Sequence, residues 1–259
     1  MAGHRLDDAF GWAQPAPGRL ALIVADGVGS ASRGGEGAEL AVDAVCQFVL
    51  GAAQGAIGAQ RGAGTPPVPK QAAADWGPRL CQGAVRHASG EICRSAGEKA
   101  HELATTIVVA LLSVGGPERD GTAEVALGRV GDSSAFSLSA EGEWQELFEG
   151  PPSVCEQGSP GDGGSQEDMV FTATSALPVK DTPDEVVSVR LGPGAALVLV
   201  TDGVAVPLRD GPATVAPMLA QVLRAGPSGD LGPLELARAV DFSRRGALDD
   251  RTVMVAWVR

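Results

Sequence analysis

Short apolar runs alternate with longer segments in which apolar residues recur at helical spacing. Continuous apolar runs rich in Val, Leu and Ala are typical of buried strands. We predict strands at residues 20–25, 105–114, 123–130, 134–138, 169–174, 186–191, 196–200 and 252–258. Apolar positions spaced three and four residues apart predict helices at residues 36–50, 75–100, 212–224 and 233–245.

The order of these elements indicates the fold class. The predicted helices come in two consecutive pairs flanked by strands, whereas a doubly wound parallel sheet would alternate strand and helix. The order therefore favours an α+β fold with two mainly antiparallel sheets packed face to face, each covered by a helix pair. We expect one domain over residues 1–259, with a loop between helices at 51–74 and a flap-like loop at 150–168.

Composition and charge narrow the possible partners and location. Aromatic residues make up only 4% of the chain and tyrosine is absent, so the core must consist mainly of Val, Leu and Ala. The net charge of −12 argues against nucleic acid or an anionic membrane as the main partner, although it also serves solubility. No signal peptide and no apolar run long enough to cross a bilayer is evident, and we predict a cytoplasmic protein.

Aspartates at the ends of apolar runs are the candidate chemistry. Three of them precede or follow glycine, which lets backbone or ligand approach closely. If the strand ends converge, the carboxylates share one cleft, where a pair about 4 Å apart repels by about 1–4 kcal/mol. Hard cations such as Mg²⁺ or Mn²⁺ would remove that cost. Each Asp-Gly pair alone is also a good turn sequence. The aspartates are Asp7, Asp8, Asp26, Asp132, Asp202, Asp249 and Asp250.

The ordered set of these motifs resembles the metal-dependent protein phosphatases of type 2C, over essentially the whole chain. Each motif is weak alone, and their order along the chain makes the resemblance specific. The matching segments are Leu6-Asp7-Asp8-Ala9-Phe10, Val24-Ala25-Asp26-Gly27-Val28-Gly29-Ser30, Ala104-Thr105-Thr106, Val130-Gly131-Asp132-Ser133-Ser134-Ala135-Phe136, Val200-Thr201-Asp202-Gly203-Val204 and Asp249-Asp250-Arg251-Thr252-Val253.

The resemblance implies a four-layer α-β-β-α sandwich that hydrolyses phosphoserine and phosphothreonine in proteins with a metal-activated water. Asp26 would bridge two Mn²⁺ or Mg²⁺ ions. Asp202 and Asp249 would hold the first ion, and the Gly27 carbonyl with Asp7 or Asp8 the second. Asp132 and Asp202 would hold a weaker third ion, and Asp8 would orient water. A phosphorylated protein and a cognate serine/threonine kinase pathway are the implied partners.

The chain departs from the family pattern at three positions. Arg5 is the only arginine near the place of the phosphate-gripping arginine, Val28 stands where some members have a histidine, and Ser134 replaces an arginine. The acidic stretch at 150–168 should disfavour acidic phosphopeptides. These departures leave open a second interpretation, a weak or inactive regulatory module. A nucleotide-binding loop at 27–37 is a third, although its glycine spacing does not fit the known fingerprint.

Overall fold

The computed structural model describes residues 6–60, 70–114, 121–150, 154–156, 172–210, 213–226, 229, 231–242 and 249–259. Eleven strands lie in this part of the chain: β1 (Asp8–Ala16), β2 (Arg19–Asp26), β3 (Ile107–Val114), β4 (Ala123–Val130), β5 (Ser134–Leu138), β6 (Trp144–Glu146), β7 (Val154–Glu156), β8 (Thr172–Thr174), β9 (Glu185–Leu191), β10 (Ala196–Val200) and β11 (Val253–Trp257). The helices are α1 (Gly34–Gln60), α2 (Lys70–Ala96), α3 (Asp202–Asp210), α4 (Val215–Leu223) and α5 (Pro233–Val240).

Two antiparallel sheets form the centre of the fold. The first has the order β1-β2-β3-β4-β9 and the second the order β11-β10-β5-β6, while β7 and β8 form a separate pair. Helices α1 and α2 pack against the first sheet, and α3, α4 and α5 cover the second. The predicted α-β-β-α sandwich with antiparallel sheets is confirmed.

Three apolar clusters hold the four layers together. In β2, Ala21, Ile23 and Ala25 face α1 and α2, whereas Leu22 and Val24 face the second sheet. A third cluster lies between the second sheet and its helices. Because side chains alternate across a strand, a strand covered on both sides must be apolar at every position. This explains why β2 and β10 appear in the sequence as continuous apolar runs.

The prediction of a loop over residues 51–74 is wrong at both of its ends. Helix α1 continues to Gln60 and α2 begins at Lys70, so only residues 61–69 separate the helices, and they lie outside the described residues. Alanine has the highest helix propensity, and the alanines after Gly51 offset the glycines among them. Helix α2 ends earlier than predicted, because Gly97 adopts φ +56 and a 3-10 turn follows to Leu103.

The second sheet carries one helix more than the predicted pair. Helix α3 begins at Asp202 directly after β10, where the sequence pattern predicted no helix, and it contains Pro207. Most of the predicted flap at 150–168 lies outside the described residues. The single-domain assignment remains a prediction. No helix in the described part of the chain combines the length and apolar character needed to cross a membrane.

Two glycines of α1 allow a direct test of the packing around this helix. A Cβ added at Gly37 would lie 2.0 Å from the carbonyl oxygen of Leu103, whereas one added at Gly51 would meet nothing within 4 Å. We expect Gly37→Ala to lower the free energy of unfolding by about 1–3 kcal/mol through overpacking. Gly51→Ala should raise it by about 0.5–1 kcal/mol. Denaturant unfolding of both variants measures this, and a shift of the same sign in both would contradict the packing.

Candidate metal centre

Three aspartates from distant parts of the sequence meet at one end of the two sheets. Asp26 ends β2, Asp132 lies in the turn between β4 and β5, and Asp202 begins α3 directly after β10. One carboxylate oxygen of each lies within 4.8 Å of the others. All three residues are half-buried. The predicted convergence of strand ends therefore exists for these three side chains.

Asp8 joins this cluster through β1, the neighbour of β2. Its backbone lies opposite that of Asp26 in the antiparallel register. Its charge acts on Asp26, and its Oδ2 accepts a hydrogen bond of 2.8 Å from the Thr201 hydroxyl. Oδ1 is buried and has no partner among the described residues. Of the acidic pair at the start of the chain, Asp8 is the member whose carboxylate faces the cluster.

Asp7 and the closing acidic pair lie around the rim. Asp7 is exposed, and its backbone N–H donates to Oδ2 of Asp250 at 2.7 Å. Asp249 is also exposed, and its charge acts on Asp202. Asp250 acts on Asp8 in the same way. Residues near the two ends of the sequence therefore meet at this site. Asp249 does not belong to the group of three acids with oxygens within 4.8 Å of one another, so its role as a metal ligand remains a prediction.

Two glycines allow the turns that carry these acids to pack closely. A Cβ at Gly27 would lie 2.3 Å from the carbonyl carbon of Gly34, and one at Gly203 would lie 2.1 Å from the carbonyl oxygen of Asp250. Any larger residue at either position would push the turns apart. The N–H of Gly27 also donates to the carbonyl of Asp7 at 2.9 Å, which joins the two acidic segments.

Threonine hydroxyls form hydrogen bonds with the acids and with the backbone around them. The carbonyl oxygen of Asp26 accepts hydrogen bonds from the Thr106 N–H and the Thr105 hydroxyl, both at 2.8 Å. The Thr201 hydroxyl, which donates to Asp8, also accepts the N–H of Thr252 at 3.0 Å. These bonds fix the backbone at Asp26 and Thr252 and hold the side chain of Asp8, without placing a positive charge among the carboxylates.

The environment of the acids favours their protonated forms as long as no cation is bound. Burial, together with the charges of Asp8, Asp202 and Asp132, raises the pKa of Asp26 to about 10. Burial, together with the charges of Asp249 and Asp132, raises the pKa of Asp202 to about 6. Burial is also the main cause that raises the pKa of Asp8. A divalent cation would compete with these protons for the carboxylates.

The residues present fit a divalent cation. Oδ1 atoms of Asp8, Asp132 and Asp202 are buried without a hydrogen-bond partner in the described part of the chain. Buried polar atoms are almost always partnered in folded proteins, so these atoms require an explanation. An all-oxygen set of donors with several negative charges is what Mg²⁺ and Mn²⁺ prefer. A bound cation would satisfy the oxygens and remove their mutual repulsion.

The structure also locates the positions where the chain departs from the type 2C pattern. Arg5 lies outside the described residues, so its role remains a prediction. Val28 is half-buried in the turn after Asp26, with its N–H bonded to the carbonyl of Ala104. Ser134 is buried, and its hydroxyl donates to Glu146, which forms an ion pair with Arg209. Ser134 therefore belongs to a hydrogen-bond network of the second sheet, and its side chain does not face the aspartate cluster.

The sequence analysis missed the supporting hydroxyls. Thr201 is fully buried at the end of an apolar strand, and a polar residue in such a place was a usable signal. Thr174 donates to Oδ2 of Asp132 at 3.0 Å. It lies 42 residues away in the sequence, and no local pattern indicates this contact.

Comparisons with known proteins agree with this geometry. A family model described as Protein phosphatase 2C matches residues 1–231. Asp249 lies beyond the matched residues, so its assignment remains a prediction. No curated protein sequence matches the chain.

Solved structures of low sequence identity share the fold. The S. agalactiae serine/threonine phosphatase has a TM-score of 0.64 at 17% identity, covering 100% of this chain and 96% of that one. A bacterial serine phosphatase gives 0.61 at 16% identity, covering 98% and 92%. The catalytic domain of the serine threonine protein phosphatase PstP, in complex with 2 manganese ions, gives 0.59 at 15% identity, covering 98% and 92%.

The raised pKa values predict how stability depends on pH. An acid whose pKa is higher in the folded than in the unfolded state stabilises the fold only while it keeps its proton. Between the ordinary aspartate pKa of 3.8 and about 10, the metal-free protein should therefore lose stability as the pH rises, because the unfolded chain gives up a proton that Asp26 keeps in the folded state. A saturating divalent cation should reverse this trend, with a gain of about 2.7 kcal/mol at 100 times its Kd. Thermal melts with EDTA and with Mn²⁺ across this range measure it; parallel pH profiles under both conditions would contradict the site.

Replacing the central acid should have opposite effects with and without metal. We expect Asp26→Asn to raise the free energy of unfolding of the metal-free protein by about 1–4 kcal/mol at about pH 8, because the neutral amide removes the cost of keeping a proton that the unfolded chain gives up at this pH. The same variant should lose most of the stabilisation by Mn²⁺. Asp43→Asn, at an exposed position of α1, is the control and should change stability by less than about 0.5 kcal/mol. A metal-free Asp26→Asn protein less stable than the wild type would argue against repulsion at the cluster.

Proposed function

The chain belongs to the protein phosphatase 2C family, and we propose that it hydrolyses phosphoserine and phosphothreonine in proteins with two or three Mn²⁺ or Mg²⁺ ions. The observation that supports this proposal best is the meeting of Asp26, Asp132 and Asp202, with one oxygen of each within 4.8 Å of the others. The family match and the buried oxygens without partners point to the same chemistry.

We assign to these side chains the roles that the family resemblance implies. Asp26 is central to the cluster and would be shared between two ions. Asp202 and its neighbour Asp249 would hold one ion, and Asp8 with the Gly27 carbonyl the other. Asp132 with Asp202 would hold a third. Asp7 is exposed on the rim, so we assign it a weaker role than Asp8.

Bound divalent ions supply a water of lowered pKa and neutralise charge on the phosphoryl oxygens. Asp8 is suited to orient a water because Thr201 holds its Oδ2 while Oδ1 remains available. Arg5 would grip the phosphate. Val28 carries no proton to donate, so the leaving alkoxide must take its proton from another group. The acidic residues at 150–168 would disfavour acidic phosphopeptides.

Two of the described cysteines, Cys46 and Cys81, are unsuited to a covalent mechanism. Cys81 is fully buried between α2 and the first sheet, and burial raises the pKa of its thiol to about 12. Burial also raises the pKa of Cys46, which is half-buried on α1. A thiol needs a low pKa and access to substrate to act as a nucleophile.

Hydrolysis of p-nitrophenyl phosphate and of a phosphothreonine peptide tests the proposal. The wild type should require Mn²⁺ or Mg²⁺ and lose activity in EDTA. Asp26→Asn should lower kcat/KM at least about 100-fold, because transition-state charge loses its stabilisation. Asp43→Asn should keep wild-type activity. Full activity in EDTA, or in Asp26→Asn, would refute a metal-dependent phosphatase.

The same experiment separates the enzyme from a regulatory module. A module of this fold that had lost catalysis would show no turnover with Mn²⁺ in the wild type, even where the ions bind. Nucleotide binding at the turn after Asp26 has less support, because four half-buried carboxylates at that turn repel phosphate without a metal. ATP that raises the melting temperature in the absence of divalent ions would favour it.

A further inference from the structure

Asp132 is braced by a segment that lies far away in the sequence, residues 174–184. This segment begins at the last residue of β8 and ends at the residue before β9. It contacts the turn of Asp132 at three points and reaches the carbonyl of Asp26 through Thr105. The candidate metal ligands of the first sheet therefore share a common support.

The most direct contact is made by Thr174. Its hydroxyl donates a hydrogen bond of 3.0 Å to Oδ2 of Asp132. The other oxygen, Oδ1, is buried and has no partner among the described residues. A carboxylate held at one oxygen cannot rotate freely, and it presents the second oxygen in one direction. Thr174 thus prepares Asp132 to bind through a single oxygen.

Asp184 holds the backbone of the same turn. Its side chain is only 1% exposed, and its Oδ2 accepts the N–H of Gly131 at 2.8 Å. Its Oδ1 accepts the hydroxyl of Ser175 at 3.2 Å and forms an ion pair with Lys180. Lys180 is therefore paired with Asp184, so its charge does not compete with a metal ion for Asp132.

Gly131 must be glycine for this arrangement. It adopts φ +93, a conformation that L side chains rarely adopt, and an added Cβ would lie 2.7 Å from the carbonyl oxygen of Ser175. The turn before Asp132 therefore packs closely against residues 174–184. A shift of the segment would move the carboxylate.

The segment also reaches the Asp26 side of the site. Leu177 and Thr105 exchange both backbone hydrogen bonds, at 2.9 and 3.1 Å. The Thr105 hydroxyl in turn donates to the carbonyl of Asp26. The distance between the two acidic turns therefore depends on residues 174–184.

We propose that Thr174 and Asp184 are positioning residues that orient Asp132 and thereby set the affinity of the ion that Asp132 shares with Asp202. The inference depends on the proposed function for the presence of that ion. Thr174 fixes the carboxylate and Asp184 fixes its backbone. Residues in such supporting roles typically change metal affinity about 10–100-fold when replaced.

Mn²⁺ titration of the metal-free full chain, by calorimetry and by electron paramagnetic resonance, tests the role of Thr174. Thr174→Val keeps the shape and removes the donor, so the weakest Mn²⁺ site should lose about 10–100-fold in affinity. The tighter sites should change much less. Thr174→Ser should restore the affinity, because the hydroxyl returns. Thr122→Val, at the opposite end of β4, is the matched control and should titrate like the wild type.

Asp184→Ala should weaken the same Mn²⁺ site, and Asp184→Asn should restore part of the affinity because an amide oxygen can accept the Gly131 N–H. Thermal melts without metal identify any variant that loses affinity only through unfolding.

The outcomes separate this inference from the proposed function. Thr174→Val and Asp184→Ala titrations that coincide with that of the wild type would overturn the inference, whatever the activity. Equal weakening of all sites, or failure of serine to restore affinity, would also overturn it. A wild type that binds no Mn²⁺ would overturn both proposals. A wild type that binds Mn²⁺ without hydrolysing phosphopeptides would refute only the function.

Discussion

Repulsion among half-buried carboxylates is the constraint on which the site depends. Asp8, Asp26, Asp132 and Asp202 meet where the two sheets end, and burial adds to the cost of their charges. The apolar runs that precede Asp26, Asp132 and Asp202 are buried on both faces, so the packing of the sheets brings these acids together even though they repel one another. Protons or divalent cations must therefore bind there. The fold stores electrostatic free energy that is released when a cation binds.

The hydrogen-bonding groups around the acids place no positive charge beside them. Asp8, Asp132 and the backbone of Asp26 receive hydrogen bonds from threonine hydroxyls and a backbone N–H. A lysine or arginine in these positions would neutralise the carboxylates and compete with a metal ion. Hydroxyls fix geometry and leave the charge for a cation. The nearby Lys180 is paired with Asp184 and does not fill this role.

Sequence patterns predicted the strands best where both faces are buried. The bounds of β4, β5 and β10 agree with the prediction, because these segments end at glycine, serine or threonine. The end of α1 was missed because glycine and proline nearby suggested a loop, while the alanines between them favour helix. Helix α3 was missed because its first residue, Asp202, was interpreted only as the end of a strand. Its apolar face becomes buried only when it packs on the second sheet.

Local sequence likewise predicted some residues of the candidate site and not others. Asp26, Asp132 and Asp202 could be predicted because each follows an apolar run and has glycine beside it. The choice between Asp7 and Asp8 could not, since it depends on the register of β1 against β2. The contacts of Thr174 and Asp184 join residues that no local pattern connects. Tertiary structure alone supplies them.

Anomalous X-ray scattering from a Mn²⁺-soaked crystal tests the central claim most directly. We expect at least two peaks at ligand distance from the oxygens of Asp26 and Asp202, with the weakest peak beside Asp132. A well-ordered cluster with no peak at millimolar Mn²⁺, or with these three carboxylates pointing away from one another, would contradict it.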